Sequence, residues 1–145
     1  MRTGLSAMTS RGATGYGPAL AVVHALTFLA GLWLVLSPFQ LDQRFSGSGF
    51  NGYWNDVLVG FVVLVSGGAQ LVAPATARVW RPVLPLAGAW LLVAPIVLGY
   101  NSGTPAPATT TSDVSVGAVV LVLWAVDVFL LARALREGRA GGRGR

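Results

Sequence analysis

The chain has 145 residues, of which 54% are hydrophobic and 10% are charged, and its mean hydropathy is +0.66. Such a composition is typical of an integral membrane protein and leaves little sequence for a soluble domain. The chain has no cysteine, which excludes a thiol nucleophile, a disulfide or a thiolate metal site of its own. Its formal net charge is +5, and all ten basic residues are arginine.

Four apolar stretches follow one another along the chain, at about 19–37, 55–73, 80–98 and 114–133. Each is long enough to cross a hydrocarbon core of about 30 Å as a helix. The sequence therefore predicts an all-α fold, a bundle of four transmembrane helices.

The arginines predict the orientation of these spans. Nine of the ten precede the first span, lie between the second and third or follow the fourth; Arg44 lies between the first and second, and the segment between the third and fourth has none. Because basic residues in short flanking segments stay in the cytoplasm, both termini are predicted to be cytoplasmic. Nucleic-acid binding is disfavoured, since base-contacting aromatic residues do not accompany the arginines. The predicted parts are a cytoplasmic segment (1–18), a first helix pair (19–73), a cytoplasmic linker (74–79), a second helix pair (80–133) and an Arg/Gly-rich cytoplasmic tail (134–145), read as flexible.

The second helix pair repeats the first. At a shift of 57 residues, the difference between positions 90 and 33, Trp33 falls on Trp90 and Asp56 on Asp113 without a gap. One register across two helices and a loop indicates an internal duplication. Each unit has two spans, so both enter the membrane in the same direction, as a parallel repeat related by an axis along the membrane normal.

Four stretches carry a resemblance to a known family: WLVLSPF (33–39) and WNDVLVG (54–60) in the first unit, and WLLVAPIVLGY (90–100) and SDVSVG (112–117) in the second. They resemble the SPW-repeat family of small bacterial membrane proteins, whose unit is a helix ending near Ser-Pro-Trp and a second helix opening near Trp-Asn-Asp. Phe39 and Ile96 replace the tryptophan after the proline. The resemblance covers about residues 26–132 and implies a four-helix protein of the bacterial cytoplasmic membrane, with no established activity to carry over.

The motif residues have structural interpretations. Pro38, which follows Ser37, and Pro95 are expected to end or kink their helices at the outer face, because proline lacks an N–H. Trp33 and Trp90 are expected to pack or to anchor the outer interface. The glycines that recur at matched places are expected to mark close helix contacts. They include Gly31, Gly60, Gly88 and Gly117.

The two repeated aspartates, and the polar residue directly before each of them, are expected to cap the second and fourth helices. Short polar side chains accept unpaired backbone N–H groups at a helix start, and a carboxylate meets the positive end of the helix dipole there. The alternative is that the two carboxylates flank a polar outer cavity that binds a cation or a partner. The residues concerned are Asn55, Asp56, Ser112 and Asp113.

Asp127 is the residue whose insertion into the membrane costs the most free energy, because its ionisable side chain lies inside the fourth span. Such a group normally has a protein partner. At about 1.5 Å per residue, His24 and Asp127 lie at nearly one depth, about 7.5 and 9 Å from the cytoplasmic ends of their helices. Gln70 occupies the repeat position of Asp127. The sequence thus predicts a polar cluster of His24, Gln70 and Asp127. Three interpretations of the cluster stay open. Asp127 forms a structural hydrogen bond, it reaches the lipid headgroups near Arg133, or it handles protons.

No catalytic, cofactor-binding or metal-ligating motif is found in the sequence. The leading hypothesis is a non-enzymatic accessory or scaffold subunit without a cofactor, whose partners are membrane lipid and other membrane-protein helices or a second copy of itself. The alternative is a small transporter or ion-binding protein that uses His24, Asp127, Asp56 and Asp113.

Overall fold

The structure is a computed structural model that describes residues 16–41, 51–100 and 107–142. Within these ranges the chain is helical, with no β-strand. The connecting segments 42–50 and 101–106, and most of the segment 1–18, lie outside the described residues. The elements are α1 (Tyr16–Gln40), α2 (Gly52–Val72), a 3₁₀ turn (Pro74–Thr76), α3 (Ala77–Trp80), α4 (Val83–Val97) and α5 (Pro107–Gly142).

Four helical segments of the described chain are long and apolar enough to cross a membrane, which confirms the predicted number of spans. The third segment is interrupted, because α3 ends at Trp80 and α4 begins at Val83. Pro82 lies at this break and has no N–H to donate to the preceding turn. The spans are Gly17–Gln40, Gly52–Val72, Ala77–Val97 and Pro107–Glu137.

The long helices form a ring in which α1 packs against α2 and α5, and α4 packs against α5 and α2. Helix α1 meets α5 through Trp33 and Ser112 at one end and through His24 and Asp127 at the other, so these helices are antiparallel. Helix α4 is antiparallel to α5 as well, because the residues flanking α4, Arg81 and Tyr100, bond to Asp127 and Asp113 respectively. Both repeat units therefore point in the same direction, as a parallel repeat requires.

Glycines bring the two helices of each unit into backbone contact. A Cβ atom on Gly60 would lie 3.1 Å from the carbonyl oxygen of Gly31, and one on Gly117 would lie 2.9 Å from that of Gly88. These are the repeated positions, and small residues are what allows membrane helices to approach so closely. The same contact is thus used once in each unit.

An apolar layer fills the middle of the bundle. Leu34 and its repeat counterpart Leu91, with Val63 and its counterpart Val120, are fully buried and belong to one core cluster. Each of the four long helices contributes one of these side chains. The layer separates the polar residues at one end of the bundle from those at the other.

The predicted helix caps are wrong. Helix α2 begins at Gly52, and its cap is Asn51, whose side chain accepts the backbone N–H of Trp54 at 3.3 Å. Helix α5 begins at Pro107, because proline suits a first helical position where no N–H is needed. The four residues assigned as caps consequently lie inside the helices, one to two turns further on, at Asn55, Asp56, Ser112 and Asp113.

Of three other expectations, one is confirmed and two change. Helices α1 and α4 end only two residues after Pro38 and Pro95, as predicted for helix-ending prolines. Helix α5 continues to Gly142, so the described part of the tail is helical rather than flexible; its Ala, Leu, Arg and Glu residues favour helix. Helix α5 also begins at Pro107, before the predicted apolar stretch that starts at about residue 114.

Candidate functional site

Two buried carboxylates meet at the end of the bundle remote from the described arginines. Asp56 of α2 and Asp113 of α5 are both fully buried. The Asn55 side-chain nitrogen donates to both, at 3.3 Å to Asp56 Oδ1 and 3.2 Å to Asp113 Oδ2. These residues, with Ser37 and Tyr100, form what we call the carboxylate cluster. Among the described residues, the two carboxylates are therefore joined in one hydrogen-bond network.

Ser37 joins this cluster through the chemistry of the proline that follows it. Pro38 has no N–H, so the carbonyl oxygen of Leu34, one turn earlier, loses its usual helical partner. The Ser37 hydroxyl lies 2.9 Å from that oxygen and 3.3 Å from Asp56 Oδ2, so its single proton is available to both. Alanine replaces the serine in the second unit, at Ala94, and no such bond forms there.

Tyr100 reaches the cluster because of the turn that ends α4. Gly99 has a φ of 63°, the left-handed conformation that favours glycine. The N–H of Tyr100 donates to the carbonyl oxygen of Pro95 at 3.1 Å and that of Gly99 to Ile96 at 3.3 Å, which is the Schellman pattern. The turn directs the Tyr100 hydroxyl to Asp113 Oδ2 at 3.0 Å.

The ionisation of Tyr100 is set by this environment. Burial raises its pKa above the ordinary value, and the nearby carboxyl groups of Asp113 and Asp56 raise it further. The hydroxyl therefore remains protonated and acts as a donor. The other carboxylate oxygen of Asp113, Oδ1, is buried and accepts no hydrogen bond from the described residues.

The repeated tryptophans join the two units to each other. The indole N–H of Trp33 donates to Ser112 Oγ at 3.2 Å, and that of Trp90 donates to Asn55 Oδ1 at 2.7 Å. Ser112 and Asn55 occupy the same repeat position, so each tryptophan bonds to the same site in the opposite unit. The rings stay partly exposed, as an interfacial position predicts, but their N–H groups are directed into the bundle.

A second polar group lies at the arginine end of the bundle. Asp127 is buried and accepts from His24 Nε2 at 3.0 Å and from Arg81 Nε at 2.9 Å, one basic side chain on each oxygen. His24 and Arg81 are separated by the repeat distance, so they are counterparts in the two units. We call these three residues the Asp127 cluster.

The structure brings together only part of the predicted polar cluster. His24 and Asp127 are in contact, as predicted from the sequence. Gln70 is not part of this contact, because its amide donates to the carbonyl oxygen of Ser66 at 3.0 Å. Its buried Oε1 accepts no hydrogen bond from the described chain. Arg81 counts in the sequence only as one of the arginines that predict orientation. The repeat shift, which places Arg81 on His24, was the available clue to its role.

The fold and these two clusters define an α-helical, multi-pass membrane protein built from two parallel helix pairs. The family model of the SPW repeat domain matches residues 21–127, which is most of the chain. The chain therefore belongs to the SPW repeat family. No curated protein and no solved structure matches it.

Proposed function

We propose that the chain is a non-enzymatic accessory or scaffold subunit of the bacterial cytoplasmic membrane, which packs its outer helix faces against other membrane helices. The observation that supports this most is that polar side chains of the two repeat units hydrogen-bond to each other. Trp33, Trp90 and Asn55 bond across the repeat boundary, and Asp127 holds His24 of the other unit. These bonds hold the two units together, as expected of a protein with a structural role.

The apolar middle layer supports a structural role over transport. A relay through the protein needs polar groups at intermediate depths, and unpartnered polar groups in hydrocarbon are costly. Between the Asp127 cluster and the carboxylate cluster lie the fully buried Leu34, Leu91, Val63 and Val120. A transporter that used Asp127 and Asp56 would have to open this layer.

The outer surface offers the material for helix packing. Large apolar side chains are exposed on each of the four long helices and face the hydrocarbon or a neighbouring protein. Association of membrane helices depends on the fit of such surfaces, because lipid is as apolar as the helices themselves. One exposed position on each long helix serves as a probe: Leu29 (α1), Phe61 (α2), Ile96 (α4) and Phe129 (α5).

The test is to place a photoreactive amino acid at these four positions, one at a time, and to illuminate intact cells. We expect a discrete adduct with another membrane protein from one or two faces, with the other positions as matched controls. The same partner should co-purify with the unmodified chain in mild detergent.

Reconstitution into liposomes tests the alternative. Ion or proton flux that depends on Asp127, together with an absence of protein adducts at all four positions, would reject the scaffold proposal in favour of transport. Asp127→Asn is the informative variant, because it keeps a hydrogen-bonding side chain while removing the ionisable group.

A further inference from the structure

An apolar groove runs along the seam between α2 and α4. Its volume is about 310 Å³, and its lining includes Leu58 and Val62 of α2 and Val83, Leu86 and Trp90 of α4. The only polar atom of these side chains, the indole nitrogen of Trp90, is already bonded to Asn55. The groove therefore offers a ligand only apolar contacts.

The corresponding seam in the other half of the ring is packed differently. Helices α1 and α5 are the repeat counterparts of α4 and α2, and they contact each other more extensively than α2 and α4 do. Leu29 on α1 is the counterpart of Leu86 and is likewise exposed, but it does not line the groove. The duplication thus supplies a matched control position outside the groove.

The side chains of the groove favour an acyl chain over a helix. Close packing of a membrane helix relies on small residues that let the backbones approach. Here the lining is formed by large side chains such as Leu58 and Leu86, with Ala87 the one small residue in it. A flexible lipid chain fills such a space without needing close backbone approach.

An exposed arginine close in sequence to one end of the groove indicates the lipid headgroup. Val83 lines the groove at the beginning of α4, and Arg78, one helical turn before Arg81, lies on α3 with its side chain exposed. Arg81 is directed inward to Asp127, but Arg78 forms no ion pair with the described residues. An exposed guanidinium five residues before Val83 suits a phosphate group.

We infer that the α2/α4 groove binds one acyl chain of an anionic phospholipid, whose headgroup phosphate is held by Arg78. This goes beyond the scaffold role, since it assigns a lipid to a particular seam of the bundle. The site takes its lipid from the leaflet on the arginine side.

Photoactivatable phosphatidylglycerol with the reactive group in the middle of one chain tests the assignment, using the purified full chain in mild detergent. We expect labelling of residues that line the groove and stronger retention of phosphatidylglycerol than of phosphatidylcholine. L86W, which fills the groove, should abolish this labelling, whereas its repeat counterpart L29W should retain it. R78Q should keep labelling in the groove but lose the preference for the anionic headgroup.

A second matched pair guards against misfolding of L86W: V62W fills the groove from α2, and V119W is its repeat counterpart on α5. Equal labelling in the filled and control variants would overturn the groove assignment. Equal retention of the two lipids by the unmodified chain would overturn the role of Arg78. A protein adduct from a photoreactive residue at Leu86, formed in place of lipid labelling, would assign the groove to a helix instead.

Discussion

Each oxygen of the Asp127 carboxylate accepts a hydrogen bond from a different basic side chain, and the two donors come from different repeat units. His24 belongs to α1, while Arg81 lies between α3 and α4. The Asp127 side chain is only 3% exposed, and that of Arg81 is 26% exposed. Removing such a buried carboxylate lowers the stability of the fold mainly because its former partners become unsatisfied donors.

We predict that Asp127→Asn folds, since its amide oxygen can still accept from His24 or Arg81, and that Asp127→Leu is clearly less stable. The leucine leaves both donors without an acceptor, at a typical cost of about 1–3 kcal/mol. Thermal unfolding in detergent measures the difference. Val122→Leu, at an exposed position on the same helix, serves as the control. Equal stability of the Asn and Leu variants would show that the cluster contributes little to the fold.

At the scale of the helices, the two repeat units are packed with unequal tightness. A Cβ atom on Gly31 would lie 2.6 Å from the backbone Cα of Leu64, whereas one on its counterpart Gly88 would meet the side chain of Leu121 at 2.9 Å. Gly67 adds a further contact, with the backbone of Phe28. The small residue at Gly67 thus serves the internal α1/α2 contact.

The unequal packing predicts unequal effects of the same substitution. Gly31→Ala should destabilise the protein by about 1–3 kcal/mol, because the methyl group meets backbone atoms and the helices must separate. Gly88→Ala should cost less, since the Leu121 side chain, the closest contact, can change its rotamer and the backbone oxygen of Gly117 lies further away, at 3.1 Å. Unfolding in detergent compares the two, with Gly17→Ala as a control at a site with open space. A larger loss for Gly88→Ala would contradict this explanation.

At the scale of the whole molecule, the described arginines are gathered at one end of the bundle. Arg81 contacts Asp127 at that end, and α5 carries Arg133, Arg136 and Arg139 beyond it. The carboxylate cluster lies at the other end. This asymmetry of charge predicts a direction across the bilayer, with the described arginines on the cytoplasmic side.

Reporter fusions test this direction. Fusions after Arg11, near Arg78 and at the C-terminus are expected to report a cytoplasmic location, and fusions within 42–52 or 102–110 an external one. The physical reason is the cost of moving clustered arginines across the membrane. An external C-terminus would contradict the predicted orientation, and it would move the lipid of the α2/α4 groove to the outer leaflet.

The number of spans and the duplication could be predicted from the sequence, because both are properties of the linear order of residues. Hydropathy alone is enough to predict spans, and the shift that places Trp33 on Trp90 needs no coordinates. The grouping of His24 with Asp127 was also accessible, since depth along a helix follows from counting residues. Helix starts were less accessible, because Asn51 and Pro107 each provide a cap or first position earlier than the assigned residues.

Only the tertiary structure decided which polar side chains meet. Helices α1 and α5 are apolar around most of their circumference, so periodicity does not reveal which face turns inward. That rotation is fixed by close contacts such as Gly31 against α2, and it carries Trp33 to Ser112 and His24 to a partner 103 positions away. Tyr100 depends likewise on the turn at Gly99. Sequence order determined the membrane architecture, while packing between helices determined the polar clusters, because hydrogen bonds between distant residues require the helices to be already in place.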